Sequence, residues 1–206
     1  MEFPETAPQA KAKGITYPAY LDLITRQAAA ETVGMTPDEA QKVEFTKLNL
    51  HRSERIGRTW KPSETLAERL VRIESVQLWM VLTEPWCGDS AQCLPAIATL
   101  AQMNSLVDLR LVLRDENLPI MDQFLTDGKR SIPRLVIFDS SGRVLGQWGP
   151  RPAEAQAVFD QAKTAGLEKP EILEKLHLWY GRDRGSALDR ELSELLEKIS
   201  TRTLKR

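Results

Sequence analysis

The sequence predicts an α/β fold in which a central mixed β-sheet is flanked by helices. Segments 76–82, 107–113 and 135–138 are apolar and rich in residues that favour strands. Helical patterns lie between them, as in folds that alternate strands and helices. Residues 139–142, Asp-Ser-Ser-Gly, are typical of a hairpin turn leading into a fourth strand that ends at Trp148. The predicted order of core elements is therefore β-α-β-α-β-β-α.

The predicted core spans residues 76–166. Strand 76–82 is apolar on both faces, as a central strand should be, whereas 107–113 alternates apolar and polar residues. The helices of this core are predicted over 90–103, 118–125 and 152–165.

Residues 1–75 are predicted as an N-terminal arm followed by a helical extension. The segment 1–13 is rich in Pro, Ala and Lys and is expected to be a loose arm, and 18–30 is expected to be a helix. Thr36-Pro37-Asp38-Glu39 combines a hydroxyl cap, a proline at the first position and acids at the positive end of a helix dipole. That helix should end near Gly57, and another should begin at Ser63. The positions expected to be buried in these two helices are Val43, Leu48 and Ile56, and then Leu66, Leu70, Val71 and Ile73.

Residues 167–206 are predicted as a C-terminal helical extension with two helical segments. An apolar stripe in the second segment needs a partner surface, which is either this domain or another subunit. An oligomer formed through this helix is one expected arrangement. The stripe comprises Leu188, Leu192, Leu195, Leu196 and Ile199.

Composition narrows the classes of function. The 206 residues include 28 Lys and Arg and 29 Asp and Glu, a net charge of −1, which argues against a nucleic-acid binder. The longest apolar stretches are too short to span a bilayer, so no membrane partner is expected. No secretory signal is visible and the chain has only two cysteines. A cytoplasmic, reducing location is therefore expected, with both cysteines as thiols.

Segment 83–95, Thr-Glu-Pro-Trp-Cys-Gly-Asp-Ser-Ala-Gln-Cys-Leu-Pro, is the most informative part of the chain. Cys87 lies where the first core strand ends and the first core helix begins. The unpaired amides and positive dipole end of a helix favour a thiolate, the form that attacks disulfides. Asp89 opposes this through like-charge repulsion. Cys87 is therefore the candidate nucleophile.

The chain here resembles the thioredoxin family. Trp86-Cys87-Gly88 matches the family's Trp-Cys-Gly, and Pro95 matches the proline that kinks its active-site helix. Segment 131–138 is similar to the family's Ile-Pro-Thr segment. The resemblance covers about 76–166 and implies a thioredoxin-like fold.

The resemblance also implies roles for single residues. Cys87 would be catalytic, and Trp86, Ile132 and Pro133 would bind substrate. The Ile132–Pro133 bond would be cis and face the cysteine, presenting backbone to a protein or low-molecular-weight thiol or disulfide. A bacterial thioredoxin-like subgroup with Trp-Cys-Gly-Asp-Ser/Ala-Ala-Gln is similar over a wider stretch, which includes Asn49, Arg52, Ile56 and Arg114-Asp115-Glu116-Asn117.

The sequence departs from the family pattern at two positions. Ser90 occupies the position of the resolving cysteine, and Val81 replaces the family's buried acid. A mixed disulfide at Cys87 would then need an external thiol for release, with Ser90 or Asp89 tuning the thiolate.

Cys93 is the other candidate for a resolving residue. It lies six residues beyond Cys87, a rise of about 9 Å along a helix, whereas a disulfide needs Cα atoms within about 7 Å. Resolution by Cys93 would require the first helical turn to unwind. The main expectation is a small buried residue on the inner face of the helix.

Three functions follow from these residues. The leading one is a thiol-disulfide oxidoreductase, and the second is a non-catalytic binding or scaffold module that has lost the dithiol. The third is a monothiol glutaredoxin-like protein that uses glutathione, for which an iron–sulfur cluster would colour the purified protein. The leading reading needs no cofactor, and no metal-ligand spacing is present.

Other polar residues have plainer expected roles. His51 and His177 are expected to be surface or packing residues. A basic run is more typical of a solvated helix face than of an anion site. Its members are Arg52, Arg55, Arg58 and Lys61.

Overall fold

A computed structural model of the chain describes Phe3 and residues 5–203. Its centre is a four-stranded sheet made of β1 (Gln77–Thr83), β2 (Val107–Leu113), β3 (Arg134–Asp139) and β4 (Val144–Trp148). The strand order is β2-β1-β3-β4. Strand β1 pairs in parallel with β2 and antiparallel with β3, and β3 pairs antiparallel with β4. The predicted mixed α/β fold is confirmed.

Helices flank this sheet and follow the predicted order. Because the β1 segment is apolar on both faces, it is predicted to be a central strand. Strand β1 does lie between β2 and β3, and its residues are buried apart from the half-buried Leu78. The helix predicted over 118–125 is shorter than expected and begins at a proline-containing turn. The helices of the described chain are α1 (Thr6–Lys13), α2 (Tyr17–Ala28), α3 (Pro37–Thr59), α4 (Glu64–Val71), α5 (Gly88–Met103), α6 (Leu118–Met121), α7 (Ala153–Thr164), α8 (Lys169–Asp183) and α9 (Ser186–Thr203).

The prediction of a loose N-terminal arm is wrong for most of its length. Residues 6–13 form α1, which packs against β1 and β2 and buries Ala7 and Ala10. The Phe3 ring packs against that of Phe124 in a tilted arrangement, with ring centroids 4.9 Å apart. Small alanine side chains let this helix lie close to the sheet, which composition alone did not show. Residues 1, 2 and 4 of the predicted arm, and 204–206 of the predicted C-terminal extension, lie outside the described residues.

The inner face of α3 differs from the prediction. Its start is as expected, because Thr36 and Glu39 form a reciprocal capping box. Leu48, however, is 52% exposed, since five residues rotate it by about 140° from the buried Val43. The face that packs on α5 is mostly polar and buries Thr46, Asn49 and Ser53.

Helix α4 also departs from the prediction at one position. Leu66 and Leu70 are buried as expected, but Val71 is 75% exposed because it follows Leu70 directly and points about 100° away.

The C-terminal apolar stripe is covered within the same chain. Helix α9 packs on β4 and α4. A Cβ placed at Gly146 would lie 2.7 Å from Leu195 Cδ1, so α9 packs closely on β4, and a side chain at position 146 would have to displace Leu195. Leu188, Leu192, Leu196 and Ile199 are buried. Among the described residues, no helix is long and apolar enough to cross a membrane.

Candidate functional site

Cys87 is the N-cap of α5, at the carboxyl end of β1. The Ser90 backbone N–H donates to Cys87 Sγ over 3.5 Å, and the Cys87 thiol donates to the carbonyl oxygen of Ile132 over 3.4 Å. The Ile132–Pro133 bond is cis. The β1–α5 junction and the segment that leads into β3 therefore meet at the sulfur atom.

The thiol is more strongly protonated than the helix terminus alone would suggest. Cys87 is only 8% exposed. Burial raises its pKa to about 11 and the nearby Asp89 charge adds to this, while the hydrogen bonds from Ser90 oppose it. Asp89 therefore opposes the thiolate in the direction that the sequence predicts, and desolvation of the charged sulfur, which the sequence does not show, outweighs the helix dipole.

Asp89 anchors the start of α5 to two later parts of the chain. Its Oδ2 accepts from Arg151 Nη2 at 2.6 Å and from Nε at 3.1 Å, and its Oδ1 accepts from the Tyr180 hydroxyl at 2.7 Å. Burial raises the pKa of the Asp89 carboxyl, and Arg151 and Tyr180 oppose the shift. Asp89 thus ties α5 to α8 and to the segment before α7.

Ser90 and Cys93 both lie inside the protein. The Ser90 hydroxyl accepts from Thr83 Oγ1 over 2.8 Å and is buried. Cys93 is fully buried, with its sulfur 3.8 Å from the Tyr180 hydroxyl. Cys87 and Cys93 are free thiols, and Cys93 packs in the core as a small side chain.

His177 was expected to be a surface or packing residue, and the structure places it beside the cysteine. A Cβ at Gly88 would lie 2.8 Å from His177 Cε1, so the imidazole packs directly against the start of α5, and a side chain at position 88 would have to displace it. The His177 Nδ1 atom is buried and has no hydrogen-bond partner among the described residues. Burial lowers its pKa to about 4, so the ring is neutral at pH 7. No local spacing could have indicated this contact.

Helix α3 contributes Asn49 and Arg52, two residues of the wider stretch that is similar to the bacterial subgroup. Asn49 Nδ2 donates to the Pro85 carbonyl over 3.0 Å, and its Oδ1 accepts from Arg52 Nη1 over 2.9 Å. Arg52 is half-buried, whereas the other members of the basic run, Arg55, Arg58 and Lys61, are exposed. The prediction of a solvated face therefore holds for those three and is wrong for Arg52.

Trp86 forms one wall of the site. The Arg114 guanidinium lies 4.9 Å from its ring centroid, and Lys42 Nζ lies 5.8 Å from it. Next to this wall, a cavity of about 400 Å³ opens at Cys87 and is lined by residues of α3, α8 and the segment before Pro133. The cavity walls come from both extensions as well as from the core.

Comparison with known proteins identifies the architecture. A family model described as thioredoxin matches residues 34–163, more than half of the chain. A crystal structure of a protein of unknown function from Pseudomonas aeruginosa is 20% identical with a TM-score of 0.56, covering 91% of this chain and 93% of that one. An HIV epitope scaffold is 20% identical with a TM-score of 0.57, covering 94% and 97%. These two likenesses show the fold alone. No curated protein matches the sequence.

Proposed function

This chain belongs to the thioredoxin family, and from that premise we propose that it is a thiol-disulfide oxidoreductase that works with one cysteine, Cys87. The observation that carries the proposal is the placement of the Cys87 thiol at the N-cap of α5, hydrogen-bonded to the Ile132 carbonyl. Trp86, Ile132 and Pro133 would contact the substrate. We also propose membership of the bacterial subgroup whose motif the segment 86–92 resembles, and a location in the reducing cytosol.

The chemistry is two successive exchanges. Cys87 loses its proton to solvent, and the thiolate attacks one sulfur of a disulfide, forming a mixed disulfide and releasing the other sulfur as a thiolate that takes up a proton. An external low-molecular-weight thiol, as its thiolate, then attacks the substrate sulfur of the mixed disulfide, forms a new disulfide with it and releases Cys87 as a thiolate that takes up a proton. The Ser90 N–H would hold the thiolate. Ser90 carries no thiol and Cys93 is fully buried, which supports resolution by the external thiol.

A non-catalytic binding module is the second candidate, and the state of Cys87 favours it. A thiol that is 8% exposed, with its pKa raised to about 11 by burial and by Asp89, has little thiolate at pH 7. Such a cysteine could persist as part of a binding surface.

Reaction with an uncharged disulfide separates the two functions. Reduced protein is incubated with hydroxyethyl disulfide at mildly alkaline pH, and peptide mass spectrometry locates the adduct. We expect an adduct at Cys87 that added thiol removes repeatedly. The variant Cys87→Ser should form none, while Cys93→Ser should behave as wild type. A folded wild-type protein that forms no adduct at Cys87 would favour the binding module instead.

A further inference from the structure

We infer that the cavity beside Cys87 selects small disulfides and thiols that carry negative charge. This inference rests on the proposed function and names its substrate class. The cavity, of about 400 Å³, lies in the size range of small-molecule sites. Its walls are helices α3 and α8, which stand beside the recessed thiol. A flat protein surface would therefore reach Cys87 less easily than a small ligand.

The charge lining the cavity is strongly one-sided. Asp89 is the only acid among the described residues that line the cavity, and its carboxylate forms an ion pair with Arg151. His177 is neutral at pH 7 because burial lowers its pKa to about 4. The cationic side chains in the lining are Arg52, Arg114, Lys129, Arg130, Arg151 and Lys169.

Three of these cations have no carboxylate partner within the described chain. Arg114 pairs with Asp115 and Arg130 pairs with Asp122, in addition to the Arg151–Asp89 pair. Among the described residues, no ion pair reaches the remaining three cations, which are Arg52, Lys129 and Lys169. An excess of positive charge therefore faces the cavity, and it attracts anions.

These three cations come from three different segments that line the cavity. Arg52 Nη1 lies 3.9 Å from the Cβ position of Gly88, next to Cys87, and Asn49 holds it there. Lys129 precedes the Ile132 segment and Lys169 begins α8, and both are exposed. An anionic disulfide bound in this cavity with its sulfur at Cys87 would therefore be surrounded by positive charge from more than one segment.

The test compares three small disulfides that differ in charge. Dithiodiglycolate is anionic, hydroxyethyl disulfide is neutral and cystamine is cationic. Mixed-disulfide formation at Cys87 is timed by mass spectrometry, and each rate is divided by the rate with the same protein unfolded in urea, which removes intrinsic reactivity. We expect the anionic reagent to be favoured over the neutral one by about tenfold, the neutral one over the cationic one, and both ratios to shrink at high salt.

Substitution of the exposed lysines locates the effect. The double variant Lys129→Gln/Lys169→Gln should lower the anionic-to-neutral ratio severalfold. The matched control Lys163→Gln/Lys198→Gln, at exposed positions outside the cavity, should retain the wild-type ratio. Equal normalised rates for the three reagents, or a ratio that salt does not change, would overturn this inference and leave the proposed function standing. The absence of an adduct with every reagent would overturn both.

Discussion

At the scale of single residues, the chemistry of Cys87 is set by two opposing effects. A charge at a helix terminus gains about 0.3–1 kcal/mol, and up to about 2 kcal/mol when partly buried. Burial and Asp89 instead raise the Cys87 pKa from 9.0 to about 11, which corresponds to a net cost of roughly 3 kcal/mol for the thiolate. Desolvation therefore wins, and the resting thiol stays protonated.

The pH dependence of Cys87 alkylation follows from this raised pKa. Below the pKa of a cysteine, its thiolate fraction grows about tenfold per pH unit. The rate of Cys87 alkylation by iodoacetamide should therefore rise about tenfold for each pH unit between pH 7 and the Cys87 pKa of about 11. Peptide mass spectrometry reads the rate, with the fully buried Cys93 as the slower internal control. A plateau near pH 8 would contradict the protonated resting state.

Removal of the Asp89 charge should make Cys87 more reactive. Asp89 raises the Cys87 pKa, so Asp89→Asn should lower it, and the alkylation rate at pH 8 should increase about tenfold for each unit by which the pKa falls. The asparagine can still accept from Tyr180. The loss of a buried ion-pair partner should also destabilise the fold, by about 3–5 kcal/mol at most.

Two controls separate this effect from opening of the fold. Asp108→Asn removes the partner of Arg110 on β2, outside the cavity, and should leave the Cys87 rate unchanged. Cys93 in the Asp89→Asn protein should remain slow, since unfolding would expose both cysteines. An unchanged Cys87 rate in folded Asp89→Asn protein would mean that burial alone raises the pKa.

At the scale of elements, the start of α5 is where four segments meet. Asp89 connects α5 to α8 and to Arg151, while Asn49 of α3 holds the Pro85 carbonyl before Cys87. Ser90 lies one helical turn from Cys87, and its N–H donates to the sulfur. A thiol at position 90 would therefore lie next to Cys87 without any change in the other elements.

Ser90→Cys should restore an internal resolving thiol. Thiolate attack across that turn should release product without an external thiol, so reduction of a protein disulfide by a thioredoxin-type recycling system should increase. The additional change Cys93→Ser should leave the gain intact. Loss of wild-type turnover on Cys93→Ser would instead identify Cys93 as the resolving residue. An inactive Ser90→Cys protein with a reactive Cys87 would favour the binding module.

At the scale of the whole molecule, the extensions are part of the site. Helix α3 precedes the core and α8 follows it, yet both line the cavity at Cys87. Helix α9 covers β4 and α4 with its own apolar stripe. The stripe therefore needs no second subunit to bury it. We propose that segments 1–75, 76–166 and 167–206 unfold as one cooperative unit.

Leu192→Ala tests this cooperation. Leu192 is 1% exposed, and truncating a buried leucine costs about 2–5 kcal/mol, so the free energy of unfolding measured in urea should fall by that amount in a single transition. Leu178→Ala, at a position 53% exposed on α8, should change it by less than about 0.5 kcal/mol. A separate early transition in Leu192→Ala, with the remaining transition unchanged, would contradict one cooperative unit.

Local sequence patterns are enough to predict the strands, most helix starts and the position of Cys87 at the β1–α5 junction. These depend on apolar periodicity, caps and turns, which involve residues close together in the chain. The continuous apolar run of β1, the Thr36 cap and the Trp86-Cys87-Gly88 motif are all of this kind. The same local rules failed for Leu48 and Val71, because a helix turns about 100° per residue and only its packing partners decide which stripe faces inward.

The residues that surround the Cys87 thiol are brought together by tertiary contacts alone. His177 reaches Gly88 from α8, Arg151 and Tyr180 reach Asp89, and Arg52 reaches the same cavity from α3. These contacts join residues that lie far apart in the chain, so no local pattern contains them. The protonation of a buried group depends on how much water such neighbours exclude and which charges they bring. That is why the helix start alone favours a thiolate, whereas the buried sulfur of the folded protein stays a thiol.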